Sequence, residues 1–446
     1  MRELLALRAG TLWRFFESQG FAYWSICAYL IVEYVRPQQL FSVLSGLPLG
    51  RVTLGAALVA QAVSGRGLRV KGAGSVLILL FTAVIFASSA VAYDPATATA
   101  QWWTWLSWLA VYFLIVNIVN TEERLTFFLV LWLLFHYYMS QGGTRQFANR
   151  GFRFAAWGLR GAPGWFDNSG EFGIAMCMFL PVAWHFYLAS KPHLTRLRRW
   201  FLLGMPVTAI LCIIGSSSRG ALLGFAAVAF WTVMRSRKRF VAIFGVGVVV
   251  AVGWLVLPEG QKQRLTTMGE DSTSTRRLTY WRDGLEMARE HPALGVGYNN
   301  WKLYYNDHYV DRRTQVSGAL GYVQEAHNMF IQCVAELGYA GLAALGLMIG
   351  ATFWTNYRTR QRARASPGPT DFIVQLAYGL DGALVGCLVS GFFISILYYP
   401  FFWVNLAMTV ALGAIARRRA PAGAPHPVPG QRRPGFRLVR RPGPRA

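Results

Sequence analysis

The sequence predicts an all-α polytopic membrane protein, with about twelve transmembrane helices and a helical subdomain on the non-cytoplasmic face. Three observations carry that prediction. Of 446 residues, 54% are hydrophobic and 14% charged, against roughly 25% charged in an average soluble domain; mean hydropathy is +0.33. Many apolar runs approach the roughly 20 residues needed to cross a bilayer. Basic clusters recur between alternate pairs of these runs. A chain this long with so little polar surface cannot clothe a water-soluble core, so a soluble enzyme is excluded. The runs are continuous rather than alternating, which favours helices over a β-barrel as the way to satisfy every backbone group inside lipid.

In chain order the apolar segments fall at 20–35, 50–64, 73–93, 102–119, 122–141, 169–189, 198–216, 218–235, 239–257, 337–355, 372–396 and 398–416. With the N-terminus inside, four basic clusters share the cytoplasmic side: Arg66/Arg69/Lys71, Lys191/Arg196/Arg198/Arg199, Arg235/Arg237/Lys238/Arg239 and Arg358/Arg360/Arg362/Arg364. That single topology satisfies the positive-inside rule and leaves both termini cytoplasmic. The first twenty residues are too interrupted by charge for a cleavable signal peptide and offer no small-residue cleavage site. Residues 1–257 then carry helices one to nine with a basic loop at 142–168, and 258–336 form the large outer subdomain. Helices ten to twelve occupy 337–416.

The Pro-, Arg- and Gly-rich tail 417–446 has little to bury and is expected to be disordered beside anionic headgroups. The net charge of +24 is thereby assigned to membrane lipids, with no nucleic-acid partner. No fixed-period repeat supports an inverted-repeat transporter. Cys27, Cys177, Cys212, Cys333 and Cys387 all lie in apolar stretches without a C-x-x-C pair, as small buried hydrophobes do.

Cations on the translocated side run against insertion and need a reason, and an anionic ligand is one. Arg145, Arg150, Arg153 and Arg160 lie in the first outer loop. Arg219 stands in the turn GSSSRGALLGF, and Lys262, Arg264, Arg276, Arg277, Arg282, Arg289, Lys302, Arg312 and Arg313 follow in the large one. Ordinary solvated surface accounts for Lys262, Arg264, Arg312 and Arg313. Arg219 is the sharpest case: a turn between two apolar spans sets its guanidinium at the interface, where charge is costly unless used or snorkelled. The planar fork of arginine suits phosphate.

Residues 272–301 read as an amphipathic helix. Ser or Thr before the Arg pair forms the N-cap, Leu278, Trp281, Leu285 and Ala288 lie at helical spacing, and Pro292 and Gly295 end it. Such a helix would rest on the outer leaflet or cover a cavity. Arg277, one turn before Trp281, faces either a cavity or the polar side; spacing leaves both open. In 325–342, Phe330, Cys333, Val334 and Leu337 form a stripe with His327 near the helix start. A helix N-terminus disfavours the imidazolium and keeps histidine able to accept a proton, as a general base must.

In 149–173, Arg150 and Arg153 each precede a glycine, Gly161 and Gly164, across ten intervening residues. The interleaved Phe and Trp suit interfacial anchoring or sugar stacking, and Asp167 and Glu171 are alternative bases. No metal-ligand spacing, phosphate loop or nucleotide-binding motif is present, so neither metal nor cofactor is expected.

Together SSSRGALLG at 216–224, RLTYWRDGLEMAREHPALGVG at 277–297 and HNMFIQCVAELGYAGL at 327–342 resemble the bacterial O-antigen ligase / O-antigen polymerase superfamily of polytopic, GT-C-like glycosyltransferases. RGAPGWFDNSGEFG at 160–173 is similar to the loop preceding them. The resemblance spans about 150–345 and looks most like the ligase. It implies a metal-independent transfer of polysaccharide from undecaprenyl diphosphate to a sugar hydroxyl of lipid A–core, on the periplasmic face of the inner membrane. By motif it assigns Arg219 and Arg277 to the diphosphate and His327 to the base. Arg160, Arg150, Arg153, Arg282 and Asn328 join the substrate-binding set. A polymerase or a protein O-oligosaccharyltransferase of the same superfamily fits the same motifs, and a lipid-linked glycan flippase is the rival of a different class.

Overall fold

The computed structural model describes residues 2–65, 67–153, 158–235, 240, 247, 272–309 and 323–419. All its regular elements are helical. The first are α1 (Arg2–Leu5), α2 (Ala9–Glu17), α3 (Phe21–Tyr34), α4 (Pro37–Leu40), α5 (Leu49–Val63) and α6 (Gly72–Ala90). Next come α7 (Pro95–Ala100), α8 (Trp102–Ile118), α9 (Glu122–Asn149), α10 (Ser169–Ser190), α11 (Arg196–Gly215) and α12 (Arg219–Arg235). The last five are α13 (Ser272–Glu290), α14 (Trp301–His308), α15 (Met329–Ala365), α16 (Asp371–Gly391) and α17 (Pro400–Arg419). Among the described residues six helices are long and apolar enough to cross a membrane: α6, α10 continued to His193, α11, α15, α16 and α17. They match predicted segments three, six, seven, ten, eleven and twelve, and the protein is a polytopic helical membrane protein.

The predicted segments at 20–35, 50–64, 102–119 and 218–235 appear as the shorter helices α3, α5, α8 and α12. The segment at 239–257, apart from Phe240 and Gly247, lies outside the described residues. So do Arg237, Lys238, Arg239, Lys262, Arg264, Arg312, Arg313 and the tail beyond Arg419. Two boundaries differ from expectation. Helix α9 continues eight residues past the predicted end to Asn149, so Arg145 is helical and the loop between α9 and α10 starts near Arg150. Helix α13 begins at Ser272, which puts the Ser/Thr run inside its first turns rather than at its cap.

α10 and α16 form the centre of the bundle. Gly379, Gly382 and Gly386 press α16 onto Pro181, Val182 and the backbone of Cys177, the close approach that small residues give helices in lipid. All five cysteines are buried and unpaired. A second, smaller core of Tyr280, Met287, Val296, Trp301, Tyr305 and Ala326 joins α13 and α14 to the start of α15. On α13 the buried face is Tyr280, Asp283, Gly284, Met287 and Ala288, whereas Leu278 and Leu285 are exposed. The expected stripe is thus offset: Asp283 turns inward because the Tyr305 hydroxyl donates to it at 2.6 Å, and the two leucines face outward.

The stretch from Pro292 to Gly297 is a backbone splice. Helix α15 breaks at Gly338, whose φ of 63° and ψ of −169° are non-helical. The break strips carbonyls and N–H groups of their helical partners. Val296 and Gly297 donate to the carbonyls of Ala335 and Glu336 at 2.9 and 3.1 Å, while Tyr339 and Ala340 donate to Pro292 and Ala293 at 2.8 and 3.3 Å. The two strands of chain run so close that a Cβ on Gly295 or Gly338 would collide with the facing backbone, and both have the positive φ that glycine tolerates.

Candidate active site

Three segments meet at the end of the bundle that carries the 216–218 turn. That turn joins α11 to α12, with Ser217 at a φ of 54°. The loop before α10 leans on it: the Leu159 N–H donates to the Gly215 carbonyl at 3.2 Å, and Gly158 leaves no room for a side chain against Ser216. Arg219 opens α12 and is half-buried. Its Nη1 reaches Ser274 Oγ at 3.4 Å, which ties α12 to the first turn of α13. Arg277, half-buried, follows Ser274 one turn later.

The third segment, 323–328, is extended and stapled by aromatic side chains. The Gln324 N–H donates to the Tyr280 hydroxyl at 3.0 Å. Trp301 Nε1 donates to the Gln324 carbonyl at 3.0 Å, and Trp281 Nε1 to the Ala326 carbonyl at 3.1 Å. The segment ends in His327, a non-glycine residue at a φ of 51°, strain of the kind that concentrates at functional sites. His327 Nε2 lies 3.2 Å from Gln324 Oε1. With that oxygen as acceptor, Nε2 carries the proton and Nδ1 keeps the lone pair. Burial, then the positive charges of Arg277, Lys302 and Arg276, lowers the His327 pKa to about 3. The imidazole is therefore neutral across the physiological range.

α13 links Arg219, held to it through Ser274, with Arg277, whose charge acts on His327, and the other predicted residues lie on neighbouring elements. Asn328, 2% exposed, caps α15 by accepting from the N–H groups of Phe330 and Ile331 at 2.9 and 3.2 Å. Arg282 is exposed and lies 3.3 Å from Asp283. Arg150 and Arg153 are exposed at the end of α9, and Arg160 faces Asp167 at 3.7 Å. The glycines of the ten-residue spacing are packing positions: Gly161 lies under Phe166 and Phe172, and Gly164 under the Arg36 guanidinium. Of the alternative bases, Glu171 accepts from the Tyr399 hydroxyl at 2.7 Å. Gln324, which sets the tautomer of His327, carries no sequence signal because it precedes the motif in an irregular segment. The ion pair of Lys302 with Glu325 at 2.7 Å was equally hidden.

Residues 205–346 match the family model described as O-antigen ligase, and Arg219, Arg277 and His327 all fall within the match. Over that stretch the chain is similar to the O-antigen ligase family. Residues 14–189 match a second model, a family of unknown function. Among curated proteins, the exopolysaccharide production protein ExoQ of Rhizobium meliloti (strain 1021) is 29% identical over 169 residues, covering 34% of this chain and 37% of that protein. The chain thus aligns with little more than a third of that relative's length. Within the superfamily segment, the match takes in both the residues that meet at the site and the backbone splice beneath them.

Proposed function

We propose that the protein transfers a polysaccharide from undecaprenyl diphosphate to a sugar hydroxyl of lipid A–core. The site would lie on the periplasmic face of the bacterial inner membrane, with both termini cytoplasmic. The observation that carries this reading is the meeting of two half-buried guanidiniums, Arg219 and Arg277, with a histidine held neutral.

In the reaction the imidazole lone pair takes the proton of the acceptor hydroxyl, and that oxygen forms the new bond to the anomeric carbon. The bond from that carbon to the diphosphate breaks with its electrons going to phosphate oxygen. Charge grows there as the bond lengthens, and pre-placed cations in a partly desolvated pocket stabilise it most at that moment. A single displacement from the opposite face inverts the anomeric centre. Arg277 also helps keep His327 unprotonated before attack. Arg150, Arg153, Arg160 and Arg282, all exposed, would steer the anionic donor rather than hold it. Asn328 would act mainly by fixing the start of α15 beside His327.

A second reading is favoured by the name of the relative, which concerns exopolysaccharide rather than lipid A–core: a polymerase of the same superfamily, whose acceptor would itself be a lipid-linked glycan. One assay separates the two. Purified protein receives undecaprenyl-diphosphate-linked glycan with lipid A–core and EDTA, as wild type and as His327→Ala. A product ladder on lipid A–core from wild type alone supports the ligase, and lengthening on undecaprenyl diphosphate supports the polymerase. Undiminished turnover by His327→Ala would remove the base assignment. Donor binding without any transfer in wild type would turn the reading toward transport.

A further inference from the structure

A second cluster stands outside the stretch that matches the O-antigen ligase model. Trp165 is its centre. Its ring meets those of Trp108 and Tyr399 edge-on, with centroids 5.4 and 4.8 Å apart. Its Nε1 donates to Glu33 Oε1, and Glu33 faces Arg36 Nη2 at 3.7 Å. On the other side the Tyr399 hydroxyl donates to Glu171. Glu33, Arg36, Trp165, Glu171 and Tyr399 are all half-buried. Trp108 is 4% exposed, and both its Nε1 and Arg36 Nε are buried without a hydrogen-bond partner. A desolvated donor left unpaired is costly, and a ligand oxygen would relieve it.

The composition selects the ligand. Two carboxylates against one guanidinium leave a net negative charge, which repels a diphosphate. Carboxylates accept well from hydroxyl groups, and aromatic rings offer apolar faces to the C–H side of a pyranose, the mix of apolar walls and few placed polar groups that binding sites use. Glu171 and Tyr399 also lie within electrostatic reach of Glu325, two residues before His327. We propose that this cluster is a sugar subsite that grips the neutral glycan beside the candidate base, apart from the arginines proposed for the diphosphate. It rests on the transferase reading, and it gives the region matching a family of unknown function a task of its own: recognising the carbohydrate.

The test uses full-length protein in nanodiscs. The probe is the oligosaccharide released by mild acid from the host's own lipid-linked glycan, free of diphosphate, with binding read by calorimetry and saturation-transfer NMR. Wild type and Arg277→Gln should bind it equally. Glu171→Gln, which removes the charge at nearly constant volume, and Trp165→Phe, which removes the indole N–H and part of the ring, should weaken it at least tenfold, and Trp165→Ala further. Inorganic pyrophosphate should not compete. The proposal is overturned if the released glycan does not bind wild type, if the Glu171 and Trp165 variants bind unchanged, or if pyrophosphate displaces it. Should the glycan bind through Trp165 while no transfer is ever seen, the transferase reading falls and the subsite stands.

Discussion

Two sets of arginines occupy the same end of the bundle, and only one is built into it. Arg150, Arg153 and Arg160 stand on the loop after α9, exposed, with Arg160 facing a carboxylate that is itself more than half exposed. Arg219 opens α12 and Arg277 lies in the second turn of α13, both half-buried; Arg219 reaches Ser274, one turn before Arg277, and a neutral histidine lies within reach of Arg277's charge. In sequence both sets are basic residues in segments predicted to lie on the same side of the membrane, and only Arg219 stands out, in a short turn between two apolar runs. Burial and convergence separate them, because a charge screened by water does little for a transition state, whereas one held in a drier pocket does much.

The largest test of that contrast is at the site itself. Replacing His327 with Ala should lower single-turnover transfer by roughly 10³-fold, within the range a general base supplies. Arg219→Gln and Arg277→Gln should each cost about 10²-fold or more, and Arg277→Lys should recover only part of it because lysine lacks the planar fork. The triple Gln variant of Arg150, Arg153 and Arg160 should cost less than about tenfold, all of it in kcat/KM and most of it at low salt. A loss as large as that of Arg277→Gln would dissolve the distinction.

Stability sharpens it next. Gly338→Ala puts a side chain at positive φ against the Ala293 backbone, and should destabilise the protein by about 2 kcal/mol or more, read as a lower Tm in detergent. Asn328→Ala removes the α15 cap and should cost about 1 kcal/mol, with Asn328→Asp retaining most of it. If Asn328→Ala instead leaves the Tm unchanged and abolishes donor binding, the residue is a ligand rather than a cap.

The smallest expected effect is with pH. A free histidine of pKa near 6.5 would lose its base form tenfold per unit below that value. With His327 lowered to about 3, kcat/KM should show no inflection near pH 6.5 between pH 5 and 8. The same depression means the unfolded chain binds more protons below pH 6.5. The stability tied to this group is therefore complete above that value and falls as pH drops toward 3.

Much of this was legible in the chain. The continuous apolar runs point to the helices, because hydrophobic periodicity is a local property, whereas the roles of Arg219, Arg277 and His327 rest on the motif resemblance and stay a proposal. The face of α13 was misjudged because a buried aspartate bonded by a distant tyrosine overrides apolar periodicity. The starts of α13 and of the first outer loop were misjudged for a related reason: tertiary packing extends helices past the point where composition turns polar. Gln324 and the Glu33–Trp165–Tyr399–Glu171 chain were invisible because they join residues far apart in sequence and carry no spacing of their own.

The splice at Gly338 has a consequence for how the protein is made. The Ser88 hydroxyl at the end of α6 donates to the Glu336 carbonyl, 248 residues later in the chain, and the Tyr93 N–H donates to Val296. An early helix therefore waits for the second half of the protein to be synthesised before its outer end is finished. In the interval that end lacks its long-range partners, as late pairing of distant segments entails. Severing the chain between α12 and α13 should accordingly yield two fragments that are each unstable alone and recover when produced together.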